Sequence, residues 1–568
     1  MSEIIKLNRV TEFWKHADVG LRDERDRMTE GFAFYTGNQW SPADIAKLDS
    51  EKRPHLTINM VLPIINLLSG IQRQGRQDIT VVARKGGLKK LAAVFTETMR
   101  HCLDVTDADY EIADCFLDGV IGNKGWLGLG VNYDNDPIYG DIEVAKVSPF
   151  DMREDPDAKE YDLNRTGKFV IRDMWMDKES LILNYPDKRQ DIIDGGLDID
   201  PESADVVGDD DDRNSYRWRL RECWWKQYEN RIVLINAVSG EIKTIDGQNA
   251  ELAAAISAKS SQWVLKEWVV PVLHKTVTAG NLVLEDISDP YNGVTNFPYY
   301  RFCPFWVDGY VMGVAQNLVG PQQEVNKRRS QALHNLNQTA NSGFKVKKVL
   351  NNYDRHLRKY GSTPGVVLDE SKAGGSIERI EPAPLSEGHI TAAKMSGDDM
   401  RQISGANPDL MGEAITGMES GRAIELRQTQ GMKVVEVMFD NFSRTQKLVT
   451  LGLVDMVRHT DVYSDQEIRD IISEKNEDVD LSLLKSRRVG RYGIKIESSS
   501  SSPIARYANF NSLMAIVEKY PDRIPPEVVI ENSDLTNKEG IIDKIVPAPA
   551  VDNILEDKTK KVVDHAKN

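Results

Sequence analysis

From Ser420 to Arg458 the chain follows a helical pattern with hardly a break, and few folds can house such an element. Gly431, Val435, Met438, Phe442, Val449 and Met456 lie on one stripe, and Ser420 stands where an N-cap belongs. About 39 residues make a rod of about 58 Å, well beyond the usual three or four turns of a globular domain. Lys447, Thr450 and Arg458 do not build the regular pairing of a coiled coil. The rod therefore reads as a spine through a wide body.

The residues ahead of the spine are organised differently. Leu318, Val325, Ala332 and Leu336 recur at sevens and fours, Pro321 suits a first helical turn, and Ser342-Gly343 supplies a stop. The spacing predicts a helix of about 22 residues and about 33 Å. Its other face carries Lys327, Arg328, Arg329 and the amides Asn335, Asn337, Gln338 and Asn341. Phe344 to Leu350 alternates as a strand does, with Lys345, Lys347 and Lys348 in it. Arg355, Arg358, Lys359 and the turn Ser362-Thr-Pro-Gly365 follow, and Gly365–Leu368 and Ile377–Ile380 read as further short strands. Such a block is too small to own a core, so it should be stable only against neighbours, which hints at an oligomer. A second helix then leads into the Gly/Pro-rich loop from Gly405 to Gly417.

Upstream, residues 1–110 are largely helical in pattern. Ile58, Val61, Leu62, Ile65, Leu68 and Ile71 form an apolar stripe, with Pro63 marking a kink or a late start. Residues 111–310 turn strand-like at Trp126–Tyr133, Lys168–Arg172 and Arg231–Ile235, while the acidic stretch Asp198–Asp212 reads as an exposed loop. The fold class is α+β, and 568 residues imply several packed units rather than one core.

The chemistry of common enzymes is missing from the pattern. There is no GxxxxGK[ST] loop and no HExxH, and the glycines at 125, 128 and 130 fit a strand better than a dinucleotide turn. Asp134-Asn-Asp136 opens like a calcium loop but has Tyr139 and Ala145 where Gly and Glu belong. Gly417-Met-Glu-Ser-Gly421 sets its serine one place late for a nucleophile elbow. Asp155 and Asp157 sit in a turn sequence; a metal-dependent nuclease or other packaging enzyme, the alternative reading, would need them and neighbouring carboxylates. The run Ser498–Ser502 reads as an exposed loop, and Cys102, Cys115, Cys223 and Cys303 as buried, reduced thiols. No catalytic residue, metal or cofactor is expected. Met60–Leu68, the longest apolar stretch, is too short for a bilayer, and Met1–Lys6 lacks a leader pattern. A net charge of −16 argues against a surface that wraps DNA as a whole.

Several segments together resemble one family. They are Phe34–Trp40, Arg53–Asn59 with Ile71–Gln74, Pro149–Asp151 with Asp155–Ala158, Asn317–Ser330, and Ile403–Gly412 followed by Ser420–Ile424. In order and spacing they resemble the portal proteins of tailed double-stranded DNA bacteriophages, in the branch of the P22 portal. The resemblance implies a homo-oligomeric ring, usually a dodecamer, at one capsid vertex of the virion. Double-stranded DNA would be packaged and ejected through its channel, after assembly in the host cytoplasm. It implies terminase large subunit, coat and scaffold proteins and tail adaptors as partners, no membrane, and no enzymatic activity. By likeness, residues 1–310 are the wing, 311–343 and 386–404 the stem helices, and 344–385 the clip. Residues 405–420 are then the tunnel loop, 421–460 the spine, 461–548 the completed wing and a short crown, and 549–568 a flexible tail. Lys394, Arg401, Asn407 and Glu413 would face the channel. Lys345, Lys347, Lys348, Arg355, Arg358 and Lys359 would dock partners or touch phosphate.

Overall fold

The computed structural model describes residues 3–533 apart from 75–78, 84–88, 134–135, 194–203, 207–215, 237–241, 246–262, 341–343, 348–350, 362–366, 368, 381–386, 406–420, 461, 473–478, 480, 482–493, 499–502, 521–523 and 532. Helices come first: Glu3–Gly20, Arg22–Thr36, Pro42–Ser50, Val61–Gln74, Lys89–Val105 and Ala108–Gly122. Their ends follow local chemistry. Ser41 caps the third helix by accepting from the Asp44 amide, with Pro42 in its first turn. Gly37 closes the second at φ 92°, a left-handed conformation that favours glycine. Pro63 marks a late start rather than a kink, because the fourth helix begins only two residues earlier, at Val61. Val61, Ile65 and Leu68 are buried along it, whereas Ile58 and Leu62 remain partly in water.

Two antiparallel sheets follow. The smaller sets Gly125–Asn132 between Tyr299–Phe302 and Asp141–Val147. The larger has seven strands, and its path runs Leu282–Ser288, Trp263–Ala279, Tyr216–Asn236, Phe169–Asp177 and Met152–Glu154. Alternation covers both of its faces. Phe169, Ile171 and Trp225 meet Val10, Trp14 and Ala17 of the first helix, while Val170 and Trp224 join Trp126, Phe297 and Tyr299 on the opposite side. Part of the acidic stretch departs from expectation. Ala204–Val206 is a strand paired with Tyr216–Trp218, because backbone pairing asks nothing of the side chains. The rest of 198–212 lies outside the described residues, as do 499–502 of the serine run; Ser498 ends a strand, Ile494–Ser498, paired with Ile79–Ala83.

The spine is the Gly421–His459 helix, 39 residues long. Val435, Met438, Phe442, Val449 and Met456 are all buried, joining a core built mostly by the Val61–Gln74, Lys89–Val105 and Ala108–Gly122 helices and the smaller sheet. Phe116 lies at the centre, its ring centroid 5.3 Å from Phe302, 5.5 Å from Phe439 and 5.0 Å from Phe442. Two glycines permit the approach: a Cβ at Gly119 would meet the Phe302 ring at 2.5 Å, and one at Gly452 the Tyr300 hydroxyl at 2.1 Å. The four cysteines are buried and free. Burial pushes the Cys102 thiol up to about 11, which keeps it protonated and unreactive.

Among the described residues no helix is long and apolar enough to cross a membrane.

Candidate nucleic-acid and docking interface

A two-helix hairpin, Val314–Ala340 and Glu387–Ser404, carries a small α/β block between its arms. The first arm starts earlier than its sequence pattern predicts, so Pro321 falls inside the helix and not in its first turn. Pro321 removes the bond to the Asn317 carbonyl and costs a helix interior about 3 kcal/mol. Val314, Ala315 and Leu318 offset that cost by packing the first turns into the main core. Farther out the predicted stripe fails: Leu336 is 51% exposed, because it lies beyond the body that buries Leu318 and Val325.

The polar face of this arm has a definite partner. Residues 54–60 run extended beside it, and Gln322, Asn326 and Ser330 stand one helical turn apart. Ser330 accepts from the Leu56 amide at 2.9 Å, Asn326 from Ile58 at 3.0 Å and Gln322 from Met60 at 3.0 Å. A helical turn advances about 5.4 Å and two extended residues about 6.6 Å, close enough for three successive matches. Gln322 also donates to the Ile58 carbonyl at 2.7 Å, and Asn326 to Gln39 at 2.6 Å. The helical pattern draws attention to other amides on this helix and not to Gln322, Asn326 and the Ser330 hydroxyl. The shared partner is the backbone of residues 56–60, which leaves no side-chain signature. The Asn326→Leu variant should lose about 1–3 kcal/mol by stranding the Ile58 amide and the Gln39 side-chain oxygen. Urea denaturation checks the loss, and hydrogen exchange at Ile58 should speed up with it.

The second arm packs through small residues. Ala393, Ser396, Gly397 and Ser404 are buried, with Met400 filling the gap. Lys394 lies on the exposed side, and Arg401, two turns on, is half-buried. Asn407 and Glu413 lie outside the described residues.

In the block between the arms, Phe344–Lys347 pairs antiparallel with Ser376–Arg379. Lys345 and Lys347 share one face of the strand, and both are exposed. Arg355, Arg358 and Lys359 sit on a helix, Asn351–Tyr360, that the sequence pattern did not reveal; all three are exposed within little more than one turn. Lys348 and most of 362–368 lie outside the described residues, and Val367, read from sequence as part of a strand, is irregular and 87% exposed. Leu357 and Ala373 are the block's buried apolar side chains among the described residues, and neither belongs to a core cluster. Among its described residues the block shows no core cluster of its own.

The carboxylates considered for catalysis form a turn. Asp155 is buried, its two oxygens accepting from the Asp157 amide at 3.1 Å and the Lys168 amide at 3.0 Å, and Asp157 is largely in solvent. Asp136 likewise braces a turn, accepting from Ile138 and Tyr139.

The described residues thus form an α+β body, a long helix with one buried face, and a polar hairpin that carries a basic block. The chain belongs to the phage P22-like portal protein family, whose model matches residues 14–561. A solved chain from the neck of an empty GTA particle, computed with C6 symmetry, is similar at a TM-score of 0.33 and 10% identity, over 82% of this chain and 87% of that one. No curated protein matches.

Proposed function

We propose that copies of this chain close into a ring, in the family's usual number of twelve, at one vertex of a phage capsid. Double-stranded DNA is threaded through the channel during packaging and leaves by it at ejection. The hairpin arms line the narrow part of that channel, Lys394 and Arg401 belong to its wall, and Asn407 and Glu413 to the loop beyond. The block between the arms is the docking platform, taking the terminase large subunit during packaging and tail adaptors afterwards. Coat and scaffold proteins hold the broad body in the shell, and assembly precedes this in the host cytoplasm.

The observation that carries the reading is the block between two helices, which buries only Leu357 and Ala373 among its described apolar side chains and is studded with Lys345, Lys347, Arg355, Arg358 and Lys359. A part that buries so little of its own apolar surface gains stability from neighbours, and a ring supplies them. The acidic balance of −16 suits a conduit, since a ring that on balance repels phosphate lets a duplex slide past the few cations on its wall.

Charge reversal tests the platform. Lys345→Glu combined with Lys347→Glu should cost folding no more than about 1 kcal/mol, because both side chains are exposed and only Lys345 stands opposite a carboxylate, Glu378. Binding of the terminase large subunit should weaken by about tenfold or more and lose part of its salt dependence. Unchanged affinity at low and high salt would move the docking surface elsewhere.

A further inference from the structure

We propose that His16, Asp155 and Asp157 form a binding site for a borderline divalent cation of the Zn²⁺ type, which staples the first helix to the turn after the Met152–Glu154 strand. His16 lies on the Glu3–Gly20 helix, and the two carboxylates come from a turn about 140 residues farther along the chain. The His16 Nε2 is 3.5 Å from an Asp157 oxygen, and one donor atom from each of the three residues lies within 4.8 Å of the others. An imidazole with two carboxylate oxygens is a donor set that zinc, cobalt and manganese accept, with water completing the shell.

Two features organise the site before any ion arrives. The helix end sits hard on the turn, since a Cβ at Gly20 would meet the Pro156 ring at 2.7 Å. Asp155 is held in orientation by the two backbone amides it accepts from, which is how metal-binding carboxylates are commonly supported. His16 and Asp157 are both exposed, so small side-chain rotations bring their donors to coordination distance. Lys168, whose ammonium lies 3.8 Å from the same Asp157 oxygen, is also exposed and can swing into solvent as the ion enters. The ion's task is mechanical: it adds a cross-link at the end of a helix otherwise held by Val10, Trp14 and Ala17. Nothing in the site depends on ring assembly, so its failure leaves the portal role untouched.

The test is calorimetric titration of ZnCl₂ into the chelator-stripped full-length protein, with Co²⁺ absorption as a spectroscopic check. About one ion per chain is expected, together with a rise in thermal midpoint. His16→Ala and Asp157→Ala, both surface changes, should each weaken binding by about tenfold or more and abolish the thermal shift. His55→Ala should change neither, although His55 also faces a carboxylate, Asp49, at 3.2 Å. Absence of saturable binding, or an affinity that His16→Ala leaves intact, overturns the proposal.

Discussion

Replacing Arg301 with alanine is expected to cost the fold about 3–5 kcal/mol. Its guanidinium lies buried on the Tyr299–Phe302 strand, donating to Glu154 and to the carbonyls of Glu160 and Tyr161, and it covers the Trp306 ring at 4.5 Å. Lys124, equally buried, bridges Glu154 and Glu24. The cluster thus ties an N-terminal helix to both sheets. Removing Arg301 leaves Glu154 and Glu24 sharing the single cation Lys124 and strands two carbonyls, and an undercompensated buried charge is the expensive outcome. Burial alone would raise the Glu154 pKa, but Arg301 and Lys124 outweigh it and hold the carboxyl below its ordinary value. A carboxylate depressed in the folded state stabilises above its unfolded pKa, about 4.3, and the gain is lost as pH falls through the lower folded value. The deficit of Arg301→Ala should therefore be full at pH 7 and shrink below about pH 4, where a Glu154 carboxyl left with Lys124 alone takes up a proton. Urea midpoints at the two pH values measure it. A loss under about 1 kcal/mol at pH 7 would show that the cluster is dispensable.

Phe116→Ala should be comparably severe, about 3–5 kcal/mol, through a different cause. The ring is fully buried among Phe302, Phe439 and Phe442, so truncation opens a cavity where the spine meets the body. Phe302, Phe439 and Phe442 are themselves buried and packed on other neighbours, so the cavity closes only in part. Phe116→Leu keeps most of the volume and should lose about 1 kcal/mol, for the ring contacts alone. Hydrogen exchange locates the effect: protection should fall along Val435–Val457 and stay unchanged in the Phe344–Lys347 strand. An equal loss in both places would mean that the spine is not docked independently of the hairpin.

What the sequence revealed follows from where burial is local. The spine was legible because Val435, Met438, Phe442, Val449 and Met456 are buried along one stripe of a continuous helix. The strands at 125–132 and 169–177 were legible for a different reason: both are short, mostly apolar runs buried at successive positions, as strands covered on two faces are. The hairpin's first arm was misjudged at its start, since Pro321 is a strong stop signal that only tertiary packing of Val314 and Leu318 overrules. Leu336 misled in the other direction, for an apolar residue at the right spacing need not meet anything in a lone chain. The Asn351–Tyr360 helix escaped notice because Leu357 is the one side chain it buries among its described residues. The ladder of Gln322, Asn326 and Ser330 was invisible because it binds backbone from residues 56–60, more than 250 positions away. The two stretches had nonetheless both been singled out as carrying the family likeness, and the structure sets them against each other.

The most direct test of the portal role is native mass spectrometry of the purified protein with electron-microscope class averages of the same sample. Closed rings of about twelve chains, with an open centre wide enough for a duplex, are the predicted result. A small closed oligomer without a through-channel would contradict it.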